Sequence, residues 1–190
     1  GGQTMNPSTQ DILTAVNKVP AETVFVLPNN KNIIMAAQQV DALTEKNVIV
    51  IPSKTVPQGI TAMMNVDTEL EPQEILEVMT ESIAGVSTAQ ITYAARNSDF
   101  DGFTINEGDY LGLLGGKLFN TDKDIVALLT KLAQEAADRE AEFVTLFYGE
   151  DVTEEQAAAA AKELTGAEGT AGDFQIGQPL SLMIPSDLEH

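Results

Sequence analysis

The sequence contains no cysteine. That excludes disulfides, zinc–thiolate sites and cysteine nucleophiles, and it fits a cytoplasmic setting. Histidine occurs once, as His190 at the last position. The closing Leu188-Glu189-His190 reads as the start of a histidine tag and the opening Gly1-Gly2 carries no initiator methionine, so the ends are expected to be those of an excised piece. With that histidine set aside, imidazole general-base chemistry and a Ser-His-Asp triad fall away, and an independent hydrolase is disfavoured. Basic residues are scarce: 10 Lys and Arg stand against 29 Asp and Glu, for a formal net charge of −19. Such a field repels phosphate backbones and anionic membrane surfaces, so no nucleic-acid partner is expected. No apolar run approaches the roughly 20 residues of a spanning helix and no signal peptide is visible, so membrane insertion is not expected either.

What is present is enough apolar material for a sizeable core. The 190 residues are 43% hydrophobic, which argues against general disorder. Thr23-Val24-Phe25-Val26-Leu27 is a β-branched apolar run stopped by Pro28, and it reads as a strand buried on both faces. Asn29-Asn30 can cap a helix through about Leu43, with Ile33, Ile34, Ala37 and Val40 on one side. Asn47-Val48-Ile49-Val50-Ile51 repeats the first strand and is stopped by Pro52. Two such runs around one helix predict a βαβ unit with parallel neighbours. An earlier helix fits Ser8 or Thr9 as its cap, with Ile12, Leu13 and Val16 inward.

The pattern changes from Leu70. Pro72 suits the first turn of a helix carrying Ile75, Leu76, Met79 and Ile83, ended by Gly85. Residues 87–119 read as β structure, with turns at Asp101-Gly102, Glu107-Gly108-Asp109 and Gly115-Gly116. A helix is expected from Thr121, then a strand over Phe143–Tyr148, and a helix from the capping box Thr153-Glu154-Glu155-Gln156 to about Leu164. A loop over Gly166–Gly172 and strands near Phe174–Ile176 and Leu180–Ile184 complete the chain. The expected fold class is α/β: a parallel βαβ lobe over 1–66 packed with a mixed α/β lobe over 67–187, with 188–190 as tag remnant.

Three polar loops of the first lobe are candidate sites: residues 1–8, Pro28-Asn29-Asn30-Lys31-Asn32, and Pro52 to Gly59. The last two follow the carboxyl ends of the predicted parallel strands, where open α/β sheets place ligands. Each leads into a helix amino terminus, whose free N–H groups favour an anion. The residues singled out are Asn6, Ser8, Thr9, Asn29, Asn30, Lys31, Asn32, Ser53, Lys54, Thr55 and Gln58. Lys31 and Lys54 carry extra weight in a chain with so few cations, and they point to a carboxylate, a phosphate or an acidic partner. Ordinary capping and turn chemistry accounts for the same residues equally well. Asp99, Asp101, Glu107 and Asp109 offer oxygen ligands, but their order does not match a calcium loop and turn formation explains them first. No phosphate-cradling Gly-x-x-x-x-Gly-Lys-Ser/Thr loop exists, so no catalytic residue and no metal ligand is assigned.

These loops also carry a family resemblance. Gly-Gly-Gln-Thr-Met-Asn-Pro-Ser-Thr (1–9), Leu-Pro-Asn-Asn-Lys-Asn (27–32) and Pro-Ser-Lys-Thr-Val-Pro-Gln-Gly (52–59) resemble the carboxyl-terminal region of the dihydroxyacetone-kinase-related family. Its bacterial member of known role is the catalytic subunit of fatty acid kinase. Tyr93-Ala94-Ala95-Arg96, Asp101-Gly102, Gly108-Asp109-Tyr110, Phe147-Tyr148-Gly149-Glu150-Asp151-Val152 and Gly177-Gln178-Pro179-Leu180 follow in the order of that family. The resemblance implies a parent kinase whose amino-terminal domain, absent here, holds ATP and Mg and phosphorylates a fatty acid. It implies that this region holds no cofactor, is inactive alone, and docks a separate DegV-family fatty-acid-binding protein beside its own kinase domain. A homodimer is left open.

A weaker similarity links the segment from Phe143 to Pro179 with DegV-type lipid carriers themselves, and so implies a DegV-like fold. Asn6-Pro7-Ser8-Thr9 sits where those carriers hold the fatty acid carboxylate, but Gly177-Gln178-Pro179 lacks the histidine of their closing loop. Two roles therefore stand: a non-catalytic docking domain, and a lipid or small-anion binding module.

Overall fold

Alternating side chains on two short strands build the first half of the molecule, as seen in a computed structural model that describes residues 5–100, 102–139, 143–148, 152–165 and 179–184. The chain divides into two compact units, Gly1–Val86 and Ser87–His190. The first contains α1 (Thr9–Lys18), β1 (Thr23–Val26), α2 (Lys31–Gln38), a 3₁₀ turn (Asp41–Leu43), β2 (Asn47–Val50), α3 (Val56–Met64) and α4 (Pro72–Ala84). Strands β1 and β2 pair in parallel, Val24 beside Val48 and Val26 beside Val50. Val24 and Val48 face one way, onto Ile12 and Val16 of α1 and Ile33 and Ala37 of α2. Phe25 and Ile49 face the other way, onto a core of Ile51, Ala62, Ile75, Met79 and Ile83 from α3 and α4. Burial on both faces is what a continuous apolar run in a parallel pair requires.

The expected division at 66/67 precedes α4. In the structure α4 packs on α3 and β2, and so lies in the first unit. The helix expected from Asn30 to Leu43 is shorter, ending at Gln38 before the 3₁₀ turn. That turn has a purpose at the sheet edge. Asn47 and Ile51 donate their N–H groups to Glu22 and Val26 on the β1 side, so the N–H of Val48 points outward. Asp41 Oδ1 accepts it at 3.2 Å.

The second unit holds β3 (Ser87–Tyr93), β4 (Ser98–Phe100), β5 (Phe103–Ile105), β6 (Tyr110–Leu114), β7 (Lys117–Asp122), α5 (Ile125–Asp138), β8 (Phe143–Tyr148), α6 (Glu154–Thr165) and β9 (Pro179–Ile184). Five strands form one mixed sheet in the order β7-β6-β3-β9-β8, and β4 and β5 form a separate hairpin. The meander β3-β6-β7 is antiparallel, whereas β9 is parallel to both β3 and β8. Ala89 and Ile91 of β3 are buried under Leu128, Leu129 and Leu132 of α5 and Ala160 and Leu164 of α6. Gly115 and Gly116 turn β6 into β7 with φ of 59° and 79°, the left-handed pair that a two-residue hairpin demands. The helix expected from Thr121 begins instead at Ile125. Thr121 pairs with Leu111 inside β7, and Asp124 caps α5 by accepting the N–H of Val126 at 3.0 Å. The capping box of α6 forms as expected, with Thr153 and Gln156 exchanging bonds of 2.9 and 3.3 Å. The loop over 166–172 and the strand near 174–176 lie outside the described residues.

Candidate docking edge of the parallel sheet

Because β1 and β2 run in parallel, the loops that follow them emerge at the same edge. A single hydroxyl joins the two loops. Ser53 is fully buried and its Oγ donates to the carbonyl of Pro28 at 2.6 Å. This bond ties residues 28–30 to residues 53–55, and so brings Asn29, Asn30, Lys31 and Asn32 beside Ser53, Lys54, Thr55 and Gln58.

Side chains of the loops themselves cap both helices. Asn30 Oδ1 accepts the N–H of Asn32 at 2.9 Å, opening α2. Thr55 Oγ1 accepts the N–H of Gln58 at 3.3 Å, and Gln58 Oε1 reaches back to the N–H of Lys54 at 2.8 Å. Pro57 supplies no N–H in the first turn of α3. Several donors that an anion would seek are thus already occupied by the chain or missing. Val56 to Gly59, expected within a loop, form the first turn of α3 because Pro57 and the reciprocal Thr55–Gln58 contacts start the helix there.

The third loop lies elsewhere. Ser8 and Asp11 form a capping box: Asp11 accepts from the backbone and hydroxyl of Ser8 at 2.9 and 2.7 Å. Those bonds hold the Asp11 carboxyl below its ordinary value. Thr9 Oγ1 donates to Oε1 of Gln39, the C-cap of α2, at 3.1 Å. Gln39 is eight residues beyond Lys31, about 12 Å along the helix. Thr9 and Ser8 are therefore placed at the far end of α2 from Lys31, and exposed Asn6 precedes them. The structure gathers eight of the eleven sequence-derived candidates and leaves Asn6, Ser8 and Thr9 apart.

Charge distinguishes this edge from the rest of the chain. Residues 23–40 contain Lys31 and no acid, and residues 46–66 contain Lys46 and Lys54 and no acid. Lys31 and Lys54 are exposed, and neither pairs with a carboxylate among the described residues. Next to Lys54, α3 shows Val56, Ile60, Met63 and Met64 to solvent. Reading 52–59 as polar loop missed these four. The signal was available: no charged residue occurs between 55 and 66, and the apolar positions recur at helical spacing.

The acidic residues of the second unit serve the fold. Asp109 is buried and accepts from the backbone N–H and the side-chain amide of Asn106 at 2.8 and 2.9 Å, which hold its carboxyl low. Asp122 takes Lys131 at 2.9 Å, and that bond lowers it likewise. Asp101 lies outside the described residues. Among those described, no three Asp, Glu or His side chains gather as a metal site, and no helix is long and apolar enough to cross a membrane.

Comparison with known proteins places this geometry in a family. Residues 1–179 match the FakA-like C-terminal family, the closing domain of a class of fatty acid kinase subunits. Protein YloV of Bacillus subtilis is 45% identical over 159 residues, which are 83% of this chain and 28% of that protein. Uncharacterized proteins of Staphylococcus aureus strains USA300 and NCTC 8325 are each 35% identical over 151 residues, 80% of this chain and 28% of theirs. The chain thus spans little more than a quarter of the relatives it matches. It belongs to the FakA-like family of fatty acid kinase C-terminal domains.

Proposed function

We propose that this domain is a non-catalytic docking platform of a cytoplasmic fatty acid kinase. In this reading it presents a fatty-acid-carrying protein of the DegV family to an ATP- and Mg-dependent kinase domain elsewhere in the longer protein. The observation that carries the reading is the acid-free edge with Lys31 and Lys54 in a chain of net charge −19. An acidic partner is drawn to that edge and repelled by the remainder of the surface. The alternative, a DegV-like module that itself binds a lipid or small anion, is less well supported. Its carboxylate would need the helix-start N–H groups that Asn30, Thr55 and Gln58 already engage. Asn6, Ser8 and Thr9 also lie at the start of α1, apart from the lysine edge.

Native mass spectrometry of the chain, alone and mixed with a fatty-acid-loaded DegV-family carrier, tests this reading. The expected result is a complex with the carrier and no lipid on the chain alone. Lys31→Glu with Lys54→Glu should slow association by roughly tenfold or more. A fatty-acid mass on the isolated chain would favour the lipid-binding alternative, and absence of a complex would end the docking reading.

A further inference from the structure

The helix beside the lysine edge has an exposed apolar face. Its nine residues, Val56-Pro57-Gln58-Gly59-Ile60-Thr61-Ala62-Met63-Met64, include no charge. Pro57 and Ala62 are buried in the first unit, and Gly59 lies beside Leu27, its Cβ position 4.0 Å from that side chain. The opposite side exposes 40% of Val56, 39% of Ile60, 54% of Met63 and 81% of Met64. At about 100° per residue, Val56, Ile60 and Met63 fall within roughly 60° of arc, with Met64 at its margin. A helix apolar all round is normally enclosed, and contiguous exposed apolar surface marks an interaction site.

We infer that this face of α3 is the apolar anchor of a protein interface whose partner surrounds its own apolar contact with carboxylates. The inference rests on the docking reading and says where, and by what chemistry, the partner is held. Charge complementarity selects the occupant. Lys54 immediately precedes the helix, Lys31 shares the sheet edge, and no acid interrupts residues 46–66. A second copy of the chain would bring the same lysines and no carboxylates to the contact. An anionic bilayer would meet a molecule of net charge −19 with only two lysines at this edge. Two unbranched methionines give the anchor side chains that adapt to a partner's shape.

Met63 tests both halves of the inference, because it is more than half exposed and either charge can replace it without disturbing the core. The 190-residue chain and its Met63→Glu and Met63→Lys variants are titrated with a fatty-acid-loaded DegV-family carrier, with thermal unfolding followed by circular dichroism as the check on folding. Both variants should melt like the parent. Met63→Glu should bind roughly tenfold or more weakly, and Met63→Lys should lose clearly less. Equal binding by all three overturns the anchor while docking stands. An equal or greater loss for Met63→Lys overturns the acidic rim. No binding by the parent chain overturns the docking reading and the inference together. Sedimentation of the parent chain with phosphatidylglycerol vesicles, lost in Met63→Glu, would assign the face to a membrane surface and overturn the protein partner.

Discussion

At the scale of single residues, the hydroxyl of Ser53 sets the geometry of the candidate edge. It is buried against the Pro28 carbonyl and so fastens one loop to the other. Ser53→Ala leaves that acceptor buried without its donor, which costs about 1–3 kcal/mol. Urea unfolding should show it as a lower midpoint, and an unchanged midpoint would mean that the bond contributes little. Asp109 makes a different prediction. Its carboxyl is held low by Asn106, so its contribution is fully present above the ordinary aspartate value of 3.8 and is lost as pH falls through the lowered one. Asp109→Asn should melt below the parent at pH 7, and the gap should close on acidification toward pH 3. A gap that persists would assign the effect to shape and not to charge. Caps at Ser8 and Asn30 were legible in the sequence because their partners lie two or three residues away. The role of Ser53 was not, since its acceptor lies 25 positions earlier.

At the scale of elements, the sequence was legible where one local signal dominated. Both parallel strands, the Pro72 helix and the Gly115-Gly116 turn follow from runs, caps and turn residues. The end of β7 was misread because Thr121 is as good a cap as Asp124 in isolation. Only the pairing of Thr121 with Leu111, and its hydroxyl bond to the Tyr110 carbonyl at 2.9 Å, keep it in the strand. α3 was half legible, its start recognised and its outer face not, because proline, glutamine and glycine disguise the apolar spacing. Gly112 of β6 gives this scale its test. A Cβ built there lies 3.1 Å from Cδ1 of Leu128, so α5 approaches the sheet closely. Gly112→Val should destabilise the second unit by about 1–3 kcal/mol through overpacking. Hydrogen exchange should locate the loss in α5 and β6, and unchanged protection there would show that Leu128 moves aside freely.

At the scale of the whole molecule, charge dominates. Twenty-nine acids against 10 bases give a self-repulsion that salt relieves. Raising ionic strength from 0.01 to 0.15 M shortens the screening length from about 30 to about 8 Å, so the melting temperature should rise. A fall would mean that local ion pairs outweigh the net field. The α/β class was legible at this scale, from strand runs alternating with helical spacing. The unit boundary was not, because packing of α4 on α3 and β2 leaves no mark between residues 66 and 67. One small contact also reaches this scale. A two-stranded parallel pair ordinarily offers its outer N–H groups to any extended chain in solution. By engaging the Val48 N–H, Asp41 places a carboxylate in the path of such a chain, so strand-by-strand recruitment toward fibrils meets both an occupied donor and a like charge.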